Sequence, residues 1–247
     1  MKNLRNYISS FILIVIMFVS TFYLFNIEVV SKNQERLKIE EFNKRLDNIK
    51  VEEKKDNSSL SVAKALNTPV GVLNVPDINL NTTIYNNSLE KSLNEGCGII
   101  EGTGDILDTK GQNTILTSHN GSSVKDLFTN LDRLNIGNKF YIKTTDNKIR
   151  EYTIIDKKVV SPASELQYFK KPNKDEKYIT LRTCTPTGIN SHRLHVLGRF
   201  NKEIKKIPSP KFILSKFEIF LIIIFLICLI LLISNIRQFL KNNRKER

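Results

Sequence analysis

Two long apolar runs lie near the ends of the chain and differ from everything between them. The first, YISSFILIVIMFVSTFYLF (Tyr7–Phe25), carries no charge, and the second, FEIFLIIIFLICLILLISNI (Phe217–Ile236), carries only Glu218 near its edge. Each is about long enough to cross a hydrocarbon core of roughly 30 Å as a helix. The pattern therefore predicts two transmembrane helices. The first is interpreted as a retained signal anchor rather than a cleaved signal peptide, because its apolar run is long and no small-residue cleavage site follows.

Basic residues flank both runs on the sides that face the chain ends. Lys2 and Arg5 precede the first run, and five basic residues follow the second: Arg237, Lys241, Arg244, Lys245 and Arg247. Basic flanks tend to stay on the cytoplasmic side. The sequence therefore predicts a protein of the cell membrane with both termini cytoplasmic and the intervening domain extracellular.

Between the two runs the apolar residues occur in short stretches cut by turn residues. VGVLNV, NTILTS, KYITLRT and RLHVLGRF are examples, rich in the β-branched and aromatic residues that favour strands. Helical spacing is confined to SLEKSLNE (Ser88–Glu95) and SVKDLFTNLDRL (Ser123–Leu134). This pattern predicts an all-β barrel with short helices.

The segment before the strand-rich part is different again, because NQERLKIEEFNKRLDNIKVEEKK mixes charges of both signs with few apolar residues. Such a composition is typical of a solvated helix or stalk. A linker then leads to Pro69. The predicted organisation is a membrane anchor (1–30), a charged stalk or lid-like segment (31–68), an extracytoplasmic domain (69–206), and a second span with a basic tail (207–247).

The formal net charge of +13 raises nucleic acid as a partner. The basic tail supplies five of the 38 lysines and arginines, and the rest are interleaved with acidic residues. No zinc-finger spacing or RNA-binding signature is present. The charge is better explained by membrane orientation and attraction to an anionic membrane or wall, or by solubility alone. We predict no nucleic-acid partner.

The chain has three cysteines, and Cys228 lies inside the second apolar run. An odd number with one member in a membrane span argues against a disulfide framework. One disulfide bond, between Cys97 and Cys184, is still possible in an oxidising exterior, and it would prevent any thiol chemistry at Cys184.

Cys184 ends the predicted strand KYITLRTC, just before the turn TPTG. Period-two alternation places it on one face with Arg182, opposite Leu181 and Thr183. On the return strand Arg193 and His195 share a face, so Cys184 and Arg193 can meet across the hairpin. A guanidinium there would favour the thiolate and donate to a developing oxyanion.

A zinc site is the rival explanation, with Cys184, His192, His195 and His119 as ligands. His192 and His195 are three apart on a predicted strand, so their side chains diverge. We predict neither a metal nor a cofactor. His119, in ILTSHNGSS at a strand end, is instead a candidate general acid and base.

These motifs resemble the sortase family, and most closely class C, the pilin-polymerising sortases. TLRTC (Thr180–Cys184) is similar to the TLxTC signature, and TPTGINSHRL follows the class C continuation. Three upstream segments also resemble motifs of the family and follow one another in the family's order: VPDINLNTTIY, GCGIIEGT and ILTSHNG. The likeness covers about Gly71–Phe200.

The resemblance implies a closed sortase β-barrel between two membrane helices. It also implies a cysteine transpeptidase of the hydrolase and peptidase class that cleaves an LPXTG-like sorting signal between Thr and Gly in Gram-positive surface or pilin proteins. Cys184 would be the nucleophile, His119 the acid and base, and Arg193 the oxyanion or positioning residue. Thr183 would support the oxyanion, unless it is simply a sheet residue.

The implied acceptor is an amine, a pilin lysine in pilus assembly or, alternatively, cell-wall peptidoglycan precursor. A non-enzymatic binding module, with Cys184 an inert thiol, is the alternative from another class. Two features depart from class C. Residues 31–68 lack the Asp-Pro-aromatic motif of a lid, and Asn120 follows His119 where class C sortases often have Arg.

Overall fold

The computed structural model describes residues 2–52, 68–107, 110–121, 127–169, 171, 173–208 and 216–245. The chain divides into two units. One comprises Met1–Ser31 with Leu214–Arg247, and the other is Lys32–Ile213.

The first unit is formed by the N-terminal part of helix α1 (Lys2–Glu52) and by the C-terminal helix α3 (Lys216–Lys245). Apolar stretches long enough to cross a membrane lie within Ser10–Asp47 and Ile219–Gln238, with mean hydropathies of 2.2 and 3.3. The rings of Phe18 and Phe225 are 5.2 Å apart, and Asn235 Nδ2 donates to Ser10 Oγ. A polar side-chain pair of this kind favours association of helices in an apolar medium.

The described residues of the second unit form eight strands. They are β1 Pro69–Val75, β2 Leu80–Tyr85, β3 Cys97–Ile99, β4 Gln112–Thr117, β5 Lys139–Thr144, β6 Ile149–Val160, β7 Lys177–Thr185 and β8 His192–Ile204.

These strands form a closed barrel in the order β1-β2-β3-β4-β7-β8-β6-β5, and β5 pairs with β1 to close it. The β2–β3 and β4–β7 pairs are parallel and the other neighbours are antiparallel. Helix α2 (Glu90–Glu95) and 3-10 helices at Pro76–Ile78, Leu131–Arg133 and Pro162–Tyr168 lie in the connections. The predicted all-β barrel with short helices is confirmed.

Alternating apolar positions of the strands face the inside of the barrel, as period-two patterning requires. The members of this core are fully or almost fully buried. They include Leu73, Ile84, Leu116, Phe140, Ile142, Tyr152, Ile154, Ile179, Leu181, Leu194 and Val196.

An aromatic stack fills one part of this core. The rings of Phe140 and Tyr152 are parallel at 5.1 Å, and Phe200 meets Tyr152 edge-on at 5.8 Å. The stack needs glycine on β8, because a Cβ at Gly198 would lie 2.2 Å from the Phe140 ring.

The part of α1 that belongs to the barrel unit (residues 32–52) differs from the solvated helix expected from its composition. Phe42 and Leu46 are 3% and 4% exposed and pack against Val72 of β1. Lys143 Nζ on β5 also donates to Asn43 Oδ1 at 2.8 Å. The sparse apolar residues thus form a narrow stripe that docks on the barrel. The remainder of the predicted stalk and linker, residues 53–67, lies outside the described residues.

The two helices predicted from local spacing have different outcomes. Ser88–Glu95 contains α2, whereas residues 122–126 of the predicted Ser123–Leu134 helix lie outside the described residues. The rest of that segment is a turn and the 3-10 helix Leu131–Arg133, with Phe128 and Leu131 fully buried. Its apolar spacing therefore serves barrel packing.

We predict that Phe42→Ala releases residues 32–52 from the barrel, because it removes a buried aromatic ring worth about 3–5 kcal/mol of packing. Limited proteolysis and hydrogen exchange should report faster cleavage and exchange there. Leu37→Ala is the control, since Leu37 is 64% exposed on the same helix. Equal protection of the two variants would contradict the docking described here.

Candidate active site

The β7–β8 hairpin brings Cys184 and Arg193 together. They are register partners in the antiparallel pair, one step from the end of the ladder at Thr185 and His192. Leu181 and Thr183 are buried on the core face, while Cys184 is partly exposed on the other. The structure thus has the cross-strand pairing of Cys184 and Arg193 that strand alternation predicted.

Arg193 is held over the turn that joins the two strands. Its Nη1 donates to the carbonyl oxygens of Asn190 and His192, both at 3.0 Å. Its Nε is buried and has no hydrogen-bond partner among the described residues. A buried donor without a partner is costly in a folded protein, so this nitrogen calls for an explanation.

His119 follows β4, which runs parallel to β7 and ends beside it, with Thr117 paired to Arg182. The ladder continues for one more bond, from Ser118 N–H to the Arg182 carbonyl at 3.4 Å. Phe128 N–H donates to the His119 carbonyl at 3.1 Å, which anchors the loop at the fully buried Phe128. His119 therefore lies at the same end of the barrel as Cys184.

A carboxylate that the sequence did not single out lies near His119. Glu90 Oε1, at the start of α2, is 3.4 Å from His119 Nε2. This is ion-pair distance without hydrogen-bond geometry, and the Glu90 side chain is 76% exposed. Solvent screening keeps such a contact weak, so we assign it no catalytic part.

Thr183 has its hydroxyl committed to the sheet. The residue is 1% exposed, and Oγ1 donates to the Ser118 carbonyl at 2.9 Å. This contact joins β7 to Ser118, the residue preceding His119, so it is a structural contact between the two segments. The hydroxyl is thus engaged away from the Cys184 face.

A charged network on the outer face of the hairpin was missed by sequence reasoning. Arg182 and His195 are register partners, two residues along each strand from Cys184 and Arg193. Glu165, in the 3-10 helix between β6 and β7, accepts from Arg182 at 2.5 and 3.0 Å and bonds His195 Nε2 at 2.7 Å. The Phe169 ring stacks on His195 at 4.9 Å. The network fastens the β6–β7 connection beside the cysteine.

The pKa values of this network move in directions set by its burial. Burial acts to raise the pKa of Glu165, but hydrogen bonds from Arg182 and His195 outweigh it and hold that pKa below its usual value. Burial lowers the pKa of His195, and Glu165 only partly opposes the effect. Arg182 and Glu165 are therefore a charged pair beside a neutral imidazole at neutral pH.

The alternative roles considered for Cys184, a zinc ligand or a disulfide partner, can now be compared with the structure. The described residues contain no group of three His, Cys, Asp or Glu side chains that could hold a metal. His195 is bound to Glu165, while His192 is exposed beside Ser191. All three cysteines are free thiols, so no Cys97–Cys184 disulfide is present. Cys97 is buried in the core, and burial raises its pKa.

Comparison with known proteins identifies this barrel. The family model of the sortase domain matches residues 73–201, more than half of the chain. The chain belongs to the sortase family. Sortase A from Bacillus anthracis is 30% identical over 129 residues, which are 52% of this chain and 58% of that protein. The chain thus spans less than two thirds of this relative.

Solved sortase structures share the fold over most of their length. Sortase C-1 from Actinomyces oris is 30% identical, with a TM-score of 0.52 over 61% of this chain and 84% of its own. Sortase C1 from Streptococcus agalactiae is 30% identical, with a TM-score of 0.53 over 70% and 94%. The similar solved sortases are mostly of class C, which agrees with the resemblance of the hairpin motifs.

We predict that Glu165→Gln lowers the free energy of unfolding by roughly 3 kcal/mol at neutral pH, because it leaves the Arg182 charge without its buried partner. Glu203→Gln is the control. Glu203 pairs with Lys148 at 3.1 Å, but its side chain is 47% exposed, so its loss should cost no more than about 1 kcal/mol. Chemical denaturation measures both, and equal losses would contradict a special role of the network.

The same network predicts how stability depends on pH. His195 has a lowered folded pKa, so the unfolded chain takes up its proton first and stability falls as pH drops below the ordinary value of 6.5. Glu165 also has a lowered folded pKa, and its contribution is lost on further acidification below 4.5. Glu165→Gln should make the second decline smaller in a series of denaturation curves at different pH. Asp146 and Glu151, whose folded pKa values are also lowered, keep their share of that decline.

Proposed function

We propose that this sortase is a membrane-anchored cysteine transpeptidase that cleaves an LPXTG-like sorting signal between Thr and Gly. The observation that supports it is the register pair Cys184–Arg193 beside the end of the His119 strand. A thiol, a basic heterocycle and a guanidinium at one end of a rigid barrel suit acyl transfer from an amide to an amine.

In the proposed first half-reaction the Cys184 thiolate attacks the threonine carbonyl carbon, and a Sγ–C bond forms. The electron pair of the C=O moves to oxygen, and Arg193 stabilises this oxyanion. As the oxyanion collapses, the C–N bond to glycine breaks and His119 gives its proton to the leaving amine. The product is a thioester on Cys184.

In the second half-reaction an amine attacks the thioester carbonyl. His119 takes a proton from the amine, the new C–N bond forms, and the Sγ–C bond breaks to return the thiolate. No oxidant or cofactor enters this cycle. Transfer rather than hydrolysis requires that the amine reach the thioester before water does.

The contacts of Arg193 support its part in the first step. Nη1 is already fixed by two carbonyl groups of the turn, while the buried Nε lacks a partner among the described residues. An oxyanion would supply the missing acceptor. Donors that are preorganised in this way need little rearrangement during the reaction.

The proposed acceptor is a pilin lysine, because most of the similar solved structures are sortases C, one of them described as pilus-related. Attachment to cell-wall precursor is the alternative, and it is favoured by the sequence match to a sortase A. Full-length protein incubated with sorting-signal substrate and both amines decides between them. Mass spectrometry should find an isopeptide to the pilin lysine, whereas a product with the wall precursor alone would overturn this choice.

The proposed location is the cell membrane, with both termini cytoplasmic and the barrel extracellular. The two apolar helices and the basic residues outside them support this orientation. Sorting signals of exported proteins would then reach Cys184 outside the membrane.

We predict that Cys184→Ala abolishes formation of a covalent complex with a sorting-signal peptide, because no other exposed thiol is present among the described residues. Intact-protein mass spectrometry of the full chain would detect the thioester. Cys97→Ala is the control, since Cys97 is fully buried and only donates to the Thr83 carbonyl. Capture that persists in Cys184→Ala would rule out the assignment.

We predict that Arg193→Ala lowers kcat/KM for a sorting-signal peptide about a hundredfold, the usual effect of losing one oxyanion donor. The alkylation rate of Cys184 separates the two roles expected of Arg193, because a small alkylating agent needs no oxyanion site. A rate near that of the wild type leaves only the oxyanion role, whereas a slower rate shows that Arg193 also supports the thiolate. Arg199→Ala is the control on the same strand, where the side chain is exposed. If the two arginine variants behave alike, Arg193 has no special part in the reaction.

A further inference from the structure

The β4–β7 ladder ends just before the catalytic residues. Its register runs from Gln112–Lys177 to Thr117–Arg182, and Ser118 N–H still reaches the Arg182 carbonyl at 3.4 Å. In a parallel ladder successive acceptors on one edge are two residues apart. The next acceptor on β7 is therefore the carbonyl of Cys184. At this point the segment that follows β4 has already turned away from β7.

A side chain fills this position. Asn120 Nδ2 donates to the Cys184 carbonyl at 2.6 Å. We propose that Asn120 is a positioning residue whose amide replaces the missing backbone donor and so sets the place of Cys184 relative to His119. The inference rests on the proposed transpeptidase function.

The amide of Asn120 is used at both ends. While Nδ2 donates to Cys184, Oδ1 accepts from Thr187 Oγ1 at 2.9 Å. Thr187 belongs to the turn that follows the cysteine, so one side chain fixes the nucleophile and the start of its loop. The amide supplies its donor and its acceptor on two separate atoms, whereas an ionised aspartate cannot donate and leucine can do neither.

The backbone beside Asn120 fits the same arrangement. Gly121 has a φ of +78°, and a Cβ there would lie 2.7 Å from Thr187 Cγ2. The histidine loop thus comes into close contact with the cysteine loop at a residue without a side chain. Asn120 lets the chain turn away at His119 while the Cys184 carbonyl stays bonded.

The consequence for the reaction is geometric. His119 must exchange protons with groups that are bonded to Cys184, and a displacement of about 1 Å between catalytic groups can cost up to a hundredfold in rate. Asn120 touches no reacting atom, so it acts through the separation of His119 and Cys184.

The test compares two asparagines on the same pair of strands. Asn113 accepts from Thr180 Oγ1 at 2.8 Å, bridging β4 and β7 at the end away from Cys184. Asn113→Ala removes the hydrogen bond from Thr180, whereas Asn120→Ala removes the bond to Cys184 and also the bond from Thr187. We expect similar small decreases in melting temperature, but a fall in kcat of about tenfold or more for Asn120→Ala alone. The full-length protein and a fluorogenic sorting-signal peptide serve for both.

Further variants separate the two halves of the amide. Asn120→Asp keeps the acceptor for Thr187 and loses the donor to Cys184, so its kcat should be as low as that of Asn120→Ala. Thr187→Val removes only the Thr187 bond and should cost less. Asn120→Gln retains both functions on a longer side chain and should recover part of the activity.

The outcomes distinguish this inference from the proposed function. If wild-type protein forms the thioester and Asn120→Ala matches it in kcat, the positioning role is wrong. If Asn113→Ala loses as much kcat as Asn120→Ala, the amide is only structural and the inference also fails. If the wild type forms no thioester with any sorting signal, the function itself fails. In that case the alkylation rate of Cys184 at a single pH still tests the contact, since Asn120→Ala should change it and Asn113→Ala should not.

Discussion

The parallel pairing of β4 with β7 is the contact on which the site depends, because it joins two parts of the chain that are far apart in sequence. The hairpin partner of β7 is close in sequence, and Cys184 and Arg193 would meet in almost any fold that kept that hairpin. His119 has no such local route to Cys184. Only the register from Gln112–Lys177 to Thr117–Arg182 brings the end of its strand to the same edge. The bonds of Ser118 and Thr183 extend this ladder towards the cysteine.

The barrel supports this pairing from its two faces in different ways. Inside, Leu116, Ile179 and Leu181 are fully buried and hold the two strands through apolar packing, which has little directional demand. Outside, Arg182 and His195 share one carboxylate, which requires particular geometry and a particular charge state. The inner face therefore supplies most of the apolar packing of the barrel, and the outer face holds the β6–β7 connection in position and adds to stability.

The sequence predicted what depends on neighbours along the chain. Alternation in KYITLRTC and RLHVLGRF was enough to assign Cys184 and Arg193 to one face, and turn residues were enough to indicate an all-β barrel, which the structure confirms. His119 was a candidate from its place at the end of a predicted strand, and the family resemblance supported that choice. Membership of the sortase family is confirmed. The catalytic roles of these residues stay predictions. Glu165, Glu90 and the docked stripe of Phe42 and Leu46 were missed, because each depends on contacts between segments whose spacing carries no periodic signal.

Closure of the barrel has a consequence for how an extended peptide can be recognised. Each of the eight described strands has a neighbour on both sides, since β5 returns to β1. Many proteins bind extended peptides by adding them to an open sheet edge, where main-chain hydrogen bonds give affinity for almost any sequence. A ring of strands offers no such edge. The sorting signal proposed as the substrate would therefore be held by side chains and loops at the rim, so its affinity and selectivity would arise from the same contacts. Loop changes at the rim can then alter the accepted sequence while the barrel itself stays as it is.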